Sequence, residues 1–163
     1  MAQNRPKPIS ATELAKRERR ITESARRLGF VGRIEYRHVY SRVGGAQYGL
    51  ARDAKDDLLI VYAEAFDKDA DPREFSLEAM IAHERGHQMM YRQGKLKRLL
   101  PESWTGPYEE IMASILGAVL VESERDAGEL LLKAYFESVE LGMDATISRL
   151  RIKGLFEMFR RAL

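Results

Sequence analysis

Two histidines four residues apart constrain this chain more than any other feature. They lie in the stretch 80–89, where His83, Glu84 and His87 form the pattern His-Glu-x-x-His. Side chains four residues apart on an α-helix share one face, so both imidazoles can reach a single metal ion. Glu84 lies next to His83 and can hold a water against that ion. The pattern therefore predicts a helix over about residues 76–93 with a metal at one face.

Composition limits both the metal ligands and the function. The 163 residues include no cysteine, so disulfides and thiolate ligands are excluded, and a metal must use His, Asp or Glu. The formal net charge of +2 argues against a dedicated nucleic-acid-binding protein. No apolar run is long enough to cross a bilayer, and no signal-peptide pattern is present. We therefore expect a cytoplasmic protein that does not bind membranes.

The apolar pattern predicts an α+β fold. Residues 1–9 are expected to be a flexible basic tail, and residues 10–163 a single domain. Ser10 and Glu13 form a capping box that begins a helix ending near Leu28. Three segments rich in β-branched and aromatic residues are predicted to be strands: residues 33–40, 47–51 and 58–62. Their short connections indicate an antiparallel sheet of about three strands, packed on four to five helices.

A nearly all-apolar helix is predicted after the motif helix. It begins at Gly106 and Pro107 and is apolar on every side from residue 111 to residue 120, which is typical of a central buried helix. A break is expected near Gly128. Gly142 ends the next segment, and Asp144 can cap a final basic amphipathic helix that ends near residue 161.

A catalytic zinc site needs a third protein ligand beside the two histidines. The long metzincin pattern requires Gly at position 90 and His at position 93, but this chain has Met90 and Gln93. A downstream histidine, as in SprT-like proteases, is also excluded because none follows His87. The remaining route is the one that gluzincins use, a glutamate on a later helix.

Three glutamates are candidates for that third ligand. Glu110 is preferred, because a carboxylate entering an almost wholly apolar helix is costly unless a partner such as a metal stabilises it. Glu109 is an alternative, although it also suits a helix N-terminus, where the macrodipole favours negative charge. Glu122 is a second alternative, because Glu122 and Asp126 reproduce the Glu-x-x-x-Asp spacing found in many gluzincins.

These residues resemble a known group of enzymes. The chain looks like a gluzincin, and within that clan it is most similar to the ImmA/IrrE-type peptidases. Their pattern is a small sheet, then His-Glu-Leu-Gly-His, then a helix of the form Glu-x-Glu-Ala-Asn-x-Phe-Ala-Ala-x-Leu. Over roughly residues 46–121 the matching positions are Gly86, Glu110, Ala113, Ala118 and Leu120, and the departures are Arg85, Met112, Ser114, Leu116 and Gly117. The resemblance implies a zincin-like helical bundle and regulatory partners of the repressor type.

The predicted function is that of a zinc-dependent endopeptidase, a metallopeptidase of the hydrolase class with one zinc ion. Glu84 acts as general base for a metal-activated water that attacks a peptide carbonyl. The tetrahedral intermediate needs one more hydrogen-bond donor. The candidates for oxyanion or substrate contacts are Tyr91, Tyr48, Tyr62, Tyr108 and His38, of which Tyr91 shares the motif face.

A peptide or protein substrate is expected to bind as an added strand. Residues 48–51 or 58–62 are the predicted edge for this pairing. Two alternatives remain open. The first is a catalytically weak or inactive zincin-fold protein that binds a regulatory partner in a bacterial or phage circuit. The second is a helical interaction protein with an accidental motif. The sequence predicts neither the substrate nor the oligomeric state.

Overall fold

The motif helix packs between a small sheet and three further helices. A computed structural model describes residues 5–41, 44–67, 75–94 and 108–163. In this part of the chain the helices are α1 (Ala11–Arg27), α2 (Leu77–Arg92), α3 (Glu109–Leu120), α4 (Glu124–Glu140) and α5 (Ala145–Ala162). The strands are β1 (Arg33–Arg37), β2 (Ala46–Gly49) and β3 (Leu58–Tyr62). The predicted α+β fold is confirmed. No helix within these ranges is long and apolar enough to cross a membrane.

The sheet is mixed, with strand order β1-β3-β2. Strand β2 pairs with β3 in the antiparallel direction, as expected, with Tyr48 opposite Leu59. The expected antiparallel direction is wrong for β1, which pairs parallel to β3 with Glu35 opposite Ile60. A short connection implies antiparallel pairing only between strands that are direct neighbours. Here β1 and β2 lie on opposite sides of β3, so the short connection between them does not set their direction.

Side-chain caps begin four of the helices. Ser10 accepts a hydrogen bond from the backbone N–H of Glu13 at 3.1 Å, and Ser76 accepts one at the start of α2. Ser123 caps α4 and Asp144 caps α5. The predicted break near Gly128 is wrong. The break lies earlier, between the end of α3 at Leu120 and the start of α4 at Glu124, where the Ser123 hydroxyl accepts a hydrogen bond from the backbone N–H of Asp126. The predicted start of the apolar helix at residues 106–107 lies outside the described ranges.

Two glycines allow α2 and α3 to approach backbone to backbone. A Cβ built on Gly86 would lie 2.2 Å from the carbonyl oxygen of Ala113, and one built on Gly117 would lie 2.8 Å from that of Ala82. Only residues without a Cβ fit this contact. Helix α3 is buried from Ile111 to Ala118, as predicted for a central helix. The contact therefore places the first turn of α3 beside the histidine face of α2.

Part of the predicted tail contacts the domain. Residues 5–10 have no regular secondary structure. The backbone carbonyl of Lys7 accepts a hydrogen bond from His38 Nε2 at 2.8 Å, and the Tyr36 hydroxyl donates to His38 Nδ1 at 2.9 Å. His38 therefore tethers this segment beside β1. Residues 1–4 lie outside the described ranges.

Candidate metal centre

Three potential metal ligands meet where α2 faces the start of α3. His83 Nε2 and His87 Nε2 lie 3.2 Å apart. The Glu110 carboxylate places Oε2 3.0 Å from His83 Nε2 and Oε1 3.2 Å from His87 Nε2. Two ligands about 2.1 Å from a tetrahedral metal lie about 3.4 Å apart. The three side chains therefore form a triangle of nearly the size that a tetrahedral site requires, and they can hold a metal ion.

The other ring nitrogens of the two histidines have partners that fix the ring orientation. In the tautomer that binds a metal through Nε2, the ring proton is on Nδ1, so that His83 donates to the Ser114 hydroxyl at 3.0 Å and His87 donates to Glu109 Oε1 at 3.0 Å. Both Nε2 atoms are then unprotonated and face Glu110. Metal-binding histidines usually have such partners, because the partner selects the tautomer and raises the basicity of the ligating nitrogen.

The two alternative ligands lie elsewhere. Glu109 is engaged with His87 Nδ1 and with the Tyr91 hydroxyl, 2.9 Å away, so it orients a ligand instead of joining the triangle. Glu122 is exposed just beyond the far end of α3. The ten residue steps from Glu110 to Leu120, the last residue of α3, span about 15 Å, which places Glu122 well outside the triangle.

Glu110 lies beside the two histidines, but not because its charge is buried, which was the reason for choosing it from the sequence. Its side chain is 56% exposed, so its charge is not buried within the apolar helix. It lies in the first turn of α3, where the helix dipole favours a carboxylate. Glu110 therefore needs no metal to offset a burial cost. What brings it to the histidines is the close backbone packing at Gly86 and Gly117.

Two of the three ligands, His83 and Glu110, have pKa shifts that favour the deprotonated form, which is the form that binds a metal. Burial lowers the pKa of His83 to about 4, so this imidazole is neutral at pH 7. Hydrogen bonds with His83 and His87 hold the pKa of Glu110 well below its usual value. Burial also lowers the pKa of His87, but its hydrogen bond to Glu110 and the nearby charge of Glu84 outweigh this and raise it. A metal bound at His87 therefore competes with a proton for this imidazole.

Glu84 lies between the triangle and the sheet. Its carboxylate accepts a hydrogen bond from the backbone N–H of Tyr48 on β2, and burial raises its pKa to about 7. Glu84, His83, His87 and Glu110 all line one cleft of about 500 Å³, within the size range of ligand sites. The side chain predicted as general base thus faces the same space as the predicted ligands.

One wall of the cleft is the outer edge of β2, which pairs with no other strand among the described residues. The carbonyl of Gly45 accepts a hydrogen bond from Tyr62 on β3, so in an antiparallel ladder the backbone groups of Ala46 and Tyr48 point away from β3. Residues 44–48 line the cleft. The first predicted edge therefore corresponds to β2. The alternative edge at residues 58–62 is wrong, because β3 is paired on both sides.

Two of the candidate donors line the cleft, but their hydroxyls are engaged. Tyr91 donates to Glu109, at 2.9 Å from both carboxylate oxygens. Tyr48 presents its ring to the cleft while its hydroxyl donates to Asp57 Oδ2 at 2.8 Å. Neither hydroxyl is directed at the triangle.

The other three candidates lie outside the cleft. The hydroxyl of Tyr62 donates to Gln47 at 3.1 Å, and the residue is buried in the sheet. Tyr108 packs against the apolar cluster under α3. His38 lines a separate pocket next to residues 5–9. Their positions give no support to the prediction that they contact substrate.

Sequence reasoning missed three residues at the site. Ser114 holds His83, and on α4 Lys133 Nζ lies 3.6 Å from Glu110 Oε2 and pairs with Glu137. Ser114 is four residues after Glu110, so it shares its helix face. Lys133 is a lone charge between three leucines and an alanine. The sequence could therefore have indicated Ser114 and Lys133, since a polar residue on an apolar helix face needs a partner.

A buried aspartate anchors α2 behind the site. Asp57, fully buried at the start of β3, accepts hydrogen bonds from Tyr48, the Ala51 backbone, Gln88 and Arg92. Gln88 directly follows His87 in the chain. The network therefore links the sheet edge to the motif helix and limits the movement of both cleft walls.

Comparison with known proteins identifies no relative. No protein-family model, curated protein or solved structure matches the chain. The resemblance to ImmA/IrrE-type peptidases therefore stays a prediction. What the fold and the site define is a class: an α+β protein with a His-Glu-x-x-His helix and a candidate metal centre.

Proposed function

We propose that this protein is a zinc-dependent endopeptidase. The strongest support is the spatial arrangement at the cleft: the His83, His87 and Glu110 triangle, Glu84 beside it, and the outer edge of β2 next to Glu84. Two imidazoles and one carboxylate are a ligand set that catalytic zinc uses, and the 3.0–3.2 Å spacing of the donors suits it. The cysteine-free sequence is consistent with this ligand set.

The proposed chemistry assigns a role to each side chain. Zinc, when bound, supplies an acidified water and polarises the peptide carbonyl. Glu84 accepts the proton of the water as the water oxygen bonds to the carbonyl carbon. Glu84 then delivers that proton to the amide nitrogen as the C–N bond breaks. His83, His87 and Glu110 hold the metal, while Ser114 and Glu109 fix the two rings.

The proposed substrate is an extended segment of a peptide or protein. A strand added at the outer edge of β2 would pair with the backbone groups of Ala46 and with the carbonyl of Tyr48, because the Tyr48 N–H is already bonded to Glu84. Such a strand would run past Glu84, because the Tyr48 N–H already contacts that carboxylate. An unstructured protein is therefore the appropriate first substrate to assay.

A second candidate is a binding protein that retains the metal without turnover. The observation favouring it is an exposed apolar strip on the outer face of α4: Leu132, Phe136 and Val139, at spacings of four and three residues. Leu150 on α5 is 66% exposed. Apolar surface of this kind is typical of protein contact sites, including contacts with a regulatory partner. The predicted cytoplasmic location stays a prediction in either case.

One set of variants separates these candidates. Purified wild-type protein is expected to hold one zinc ion and cleave an unstructured protein such as casein. Glu84→Gln is expected to hold zinc but not cleave, and His83→Ala is expected to lose the metal. If wild type and Glu84→Gln both bind zinc and neither cleaves any substrate, the result supports the binding protein and contradicts the peptidase. Equal zinc content in His83→Ala and wild type would refute the metal site itself.

A further inference from the structure

The ammonium of Lys133 faces the candidate metal centre. Lys133 projects from α4 into the cleft, and its Nζ lies 3.6 Å from Glu110 Oε2. Its side chain is only 15% exposed, and Glu137, one helical turn later, pairs with it. Among the described residues that line the cleft, Lys133 is the one lysine or arginine.

The position of Lys133 is not explained by a need to neutralise Glu110. That carboxylate is more than half exposed, and as a ligand its charge would be balanced by the metal. A lysine on a helix surface usually extends its ammonium into water. Here the ammonium stays inside the cleft, where desolvation is costly. Glu137 offsets that cost and holds the ammonium beside the triangle.

We propose that Lys133 donates the hydrogen bond that stabilises the oxyanion of the tetrahedral intermediate. This inference rests on the proposed peptidase function. Donor atoms in a tetrahedral site lie about 3.4 Å apart, so an ammonium 3.6 Å from one ligand oxygen can reach an oxygen at a neighbouring position. As water adds to the carbonyl carbon, the C=O π electrons move to the oxygen. Lys133 donates to that oxygen and keeps its proton.

The remaining groups of the cleft support this assignment. The hydroxyls of Tyr91 and Tyr48 already donate to Glu109 and Asp57. An ammonium has three N–H groups, so pairing with Glu110 and Glu137 leaves one for a substrate oxygen. Lys133 enters from α4, whereas the general base enters from α2 and contacts β2. Base and donor thus reach the reacting carbon from different walls.

Steady-state kinetics and ligand binding test the proposal. Lys133→Met is expected to lower kcat by about 10²–10³-fold, as loss of an oxyanion donor does, with KM within about threefold of wild type. Binding of a peptide phosphinate, which carries a tetrahedral anion, is expected to weaken by a similar factor. An amide peptide that is not cleaved has no tetrahedral anion, so its Kd is expected to be the same for zinc-loaded Glu84→Gln and for zinc-loaded Glu84→Gln/Lys133→Met. Lys133→Arg is expected to recover part of kcat.

Controls separate this role from a structural one. Lys153→Met, an exposed change on α5, is expected to leave every parameter unchanged. Lys133→Met/Glu137→Gln removes the unpaired carboxylate and is expected to show the same kcat loss with the fold retained by circular dichroism. If zinc affinity falls at least tenfold while zinc-saturated kcat equals wild type, Lys133 orients Glu110 and the proposal is overturned. It is also overturned if kcat and phosphinate binding are unchanged. An inactive, zinc-loaded wild type refutes the peptidase function itself.

Discussion

Replacing Gly86 by alanine tests whether close packing of α2 on α3 builds the metal site. The added Cβ would lie 2.2 Å from the Ala113 carbonyl oxygen, against 3.4 Å for ordinary contact, so α3 must move by about 1.2 Å. Overpacking of this kind costs about 1–3 kcal/mol. The better helix propensity of alanine returns about 1 kcal/mol. We expect the variant to be less stable than wild type by up to about 2 kcal/mol.

The same movement displaces Glu110 from the histidines. Functional sites tolerate shifts of only about 0.5 Å, so zinc affinity is expected to fall at least tenfold. Urea unfolding of the metal-free protein measures the first effect, and zinc competition with a chromogenic chelator measures the second. Gly128→Ala and Gly154→Ala are matched controls, because no atom lies within 4 Å of the added Cβ. These should stabilise by up to about 1 kcal/mol. A Gly86→Ala protein with wild-type stability and zinc affinity would refute the reasoning.

Three further predictions concern the ligands and the buried anchor. Glu110→Gln is expected to lose at least tenfold in zinc affinity while Glu122→Gln binds as wild type, measured by chelator competition; equal losses would contradict the ligand assignment. Ser114→Ala is expected to weaken zinc binding by about 10–100-fold in the same assay, because the His83 ring loses its Nδ1 partner. Burial alone would raise the pKa of Asp57, but hydrogen bonds led by Arg92 lower it well below its usual value. Its stabilisation is therefore present above about pH 4 and lost as pH falls further. Urea unfolding between pH 2 and 7 should show this acid-side loss, and Asp57→Asn should be less stable at pH 7 with a smaller loss in acid.

Local signals in the sequence were sufficient for most elements of the fold. Caps such as Ser10 and Ser76, together with apolar periodicity, located α1 and α2 within about one residue. The direction of β1 could not be derived in the same way. It depends on which strand lies at the centre of the sheet, and central position is set by packing against the helices. The early break before α4 depended on one serine cap that competed with a more conspicuous glycine.

At the candidate site, spacing along one helix predicted more than burial did. His83 and His87 share a face because of the helical repeat alone, and the structure keeps that arrangement. The choice of Glu110 was supported by a burial argument that its exposed side chain contradicts. Lys133 was missed because it comes from a third helix, and no short-range pattern places α4 against the motif face.

The two adjacent glutamates at the start of α3 show that the site requires one particular rotation of α3 about its axis relative to α2. Consecutive helical residues point about 100° apart, so Glu109 and Glu110 cannot both face the Nε2 atoms. In this rotation Glu110 meets both Nε2 atoms while Glu109 meets His87 Nδ1. Turning α3 by one residue would bring Glu109 to the present direction of Glu110, turn Glu110 away from the Nε2 atoms and leave Ser114 out of reach of His83. The glycine contact that fixes this rotation is therefore as much a part of the candidate centre as the ligands are.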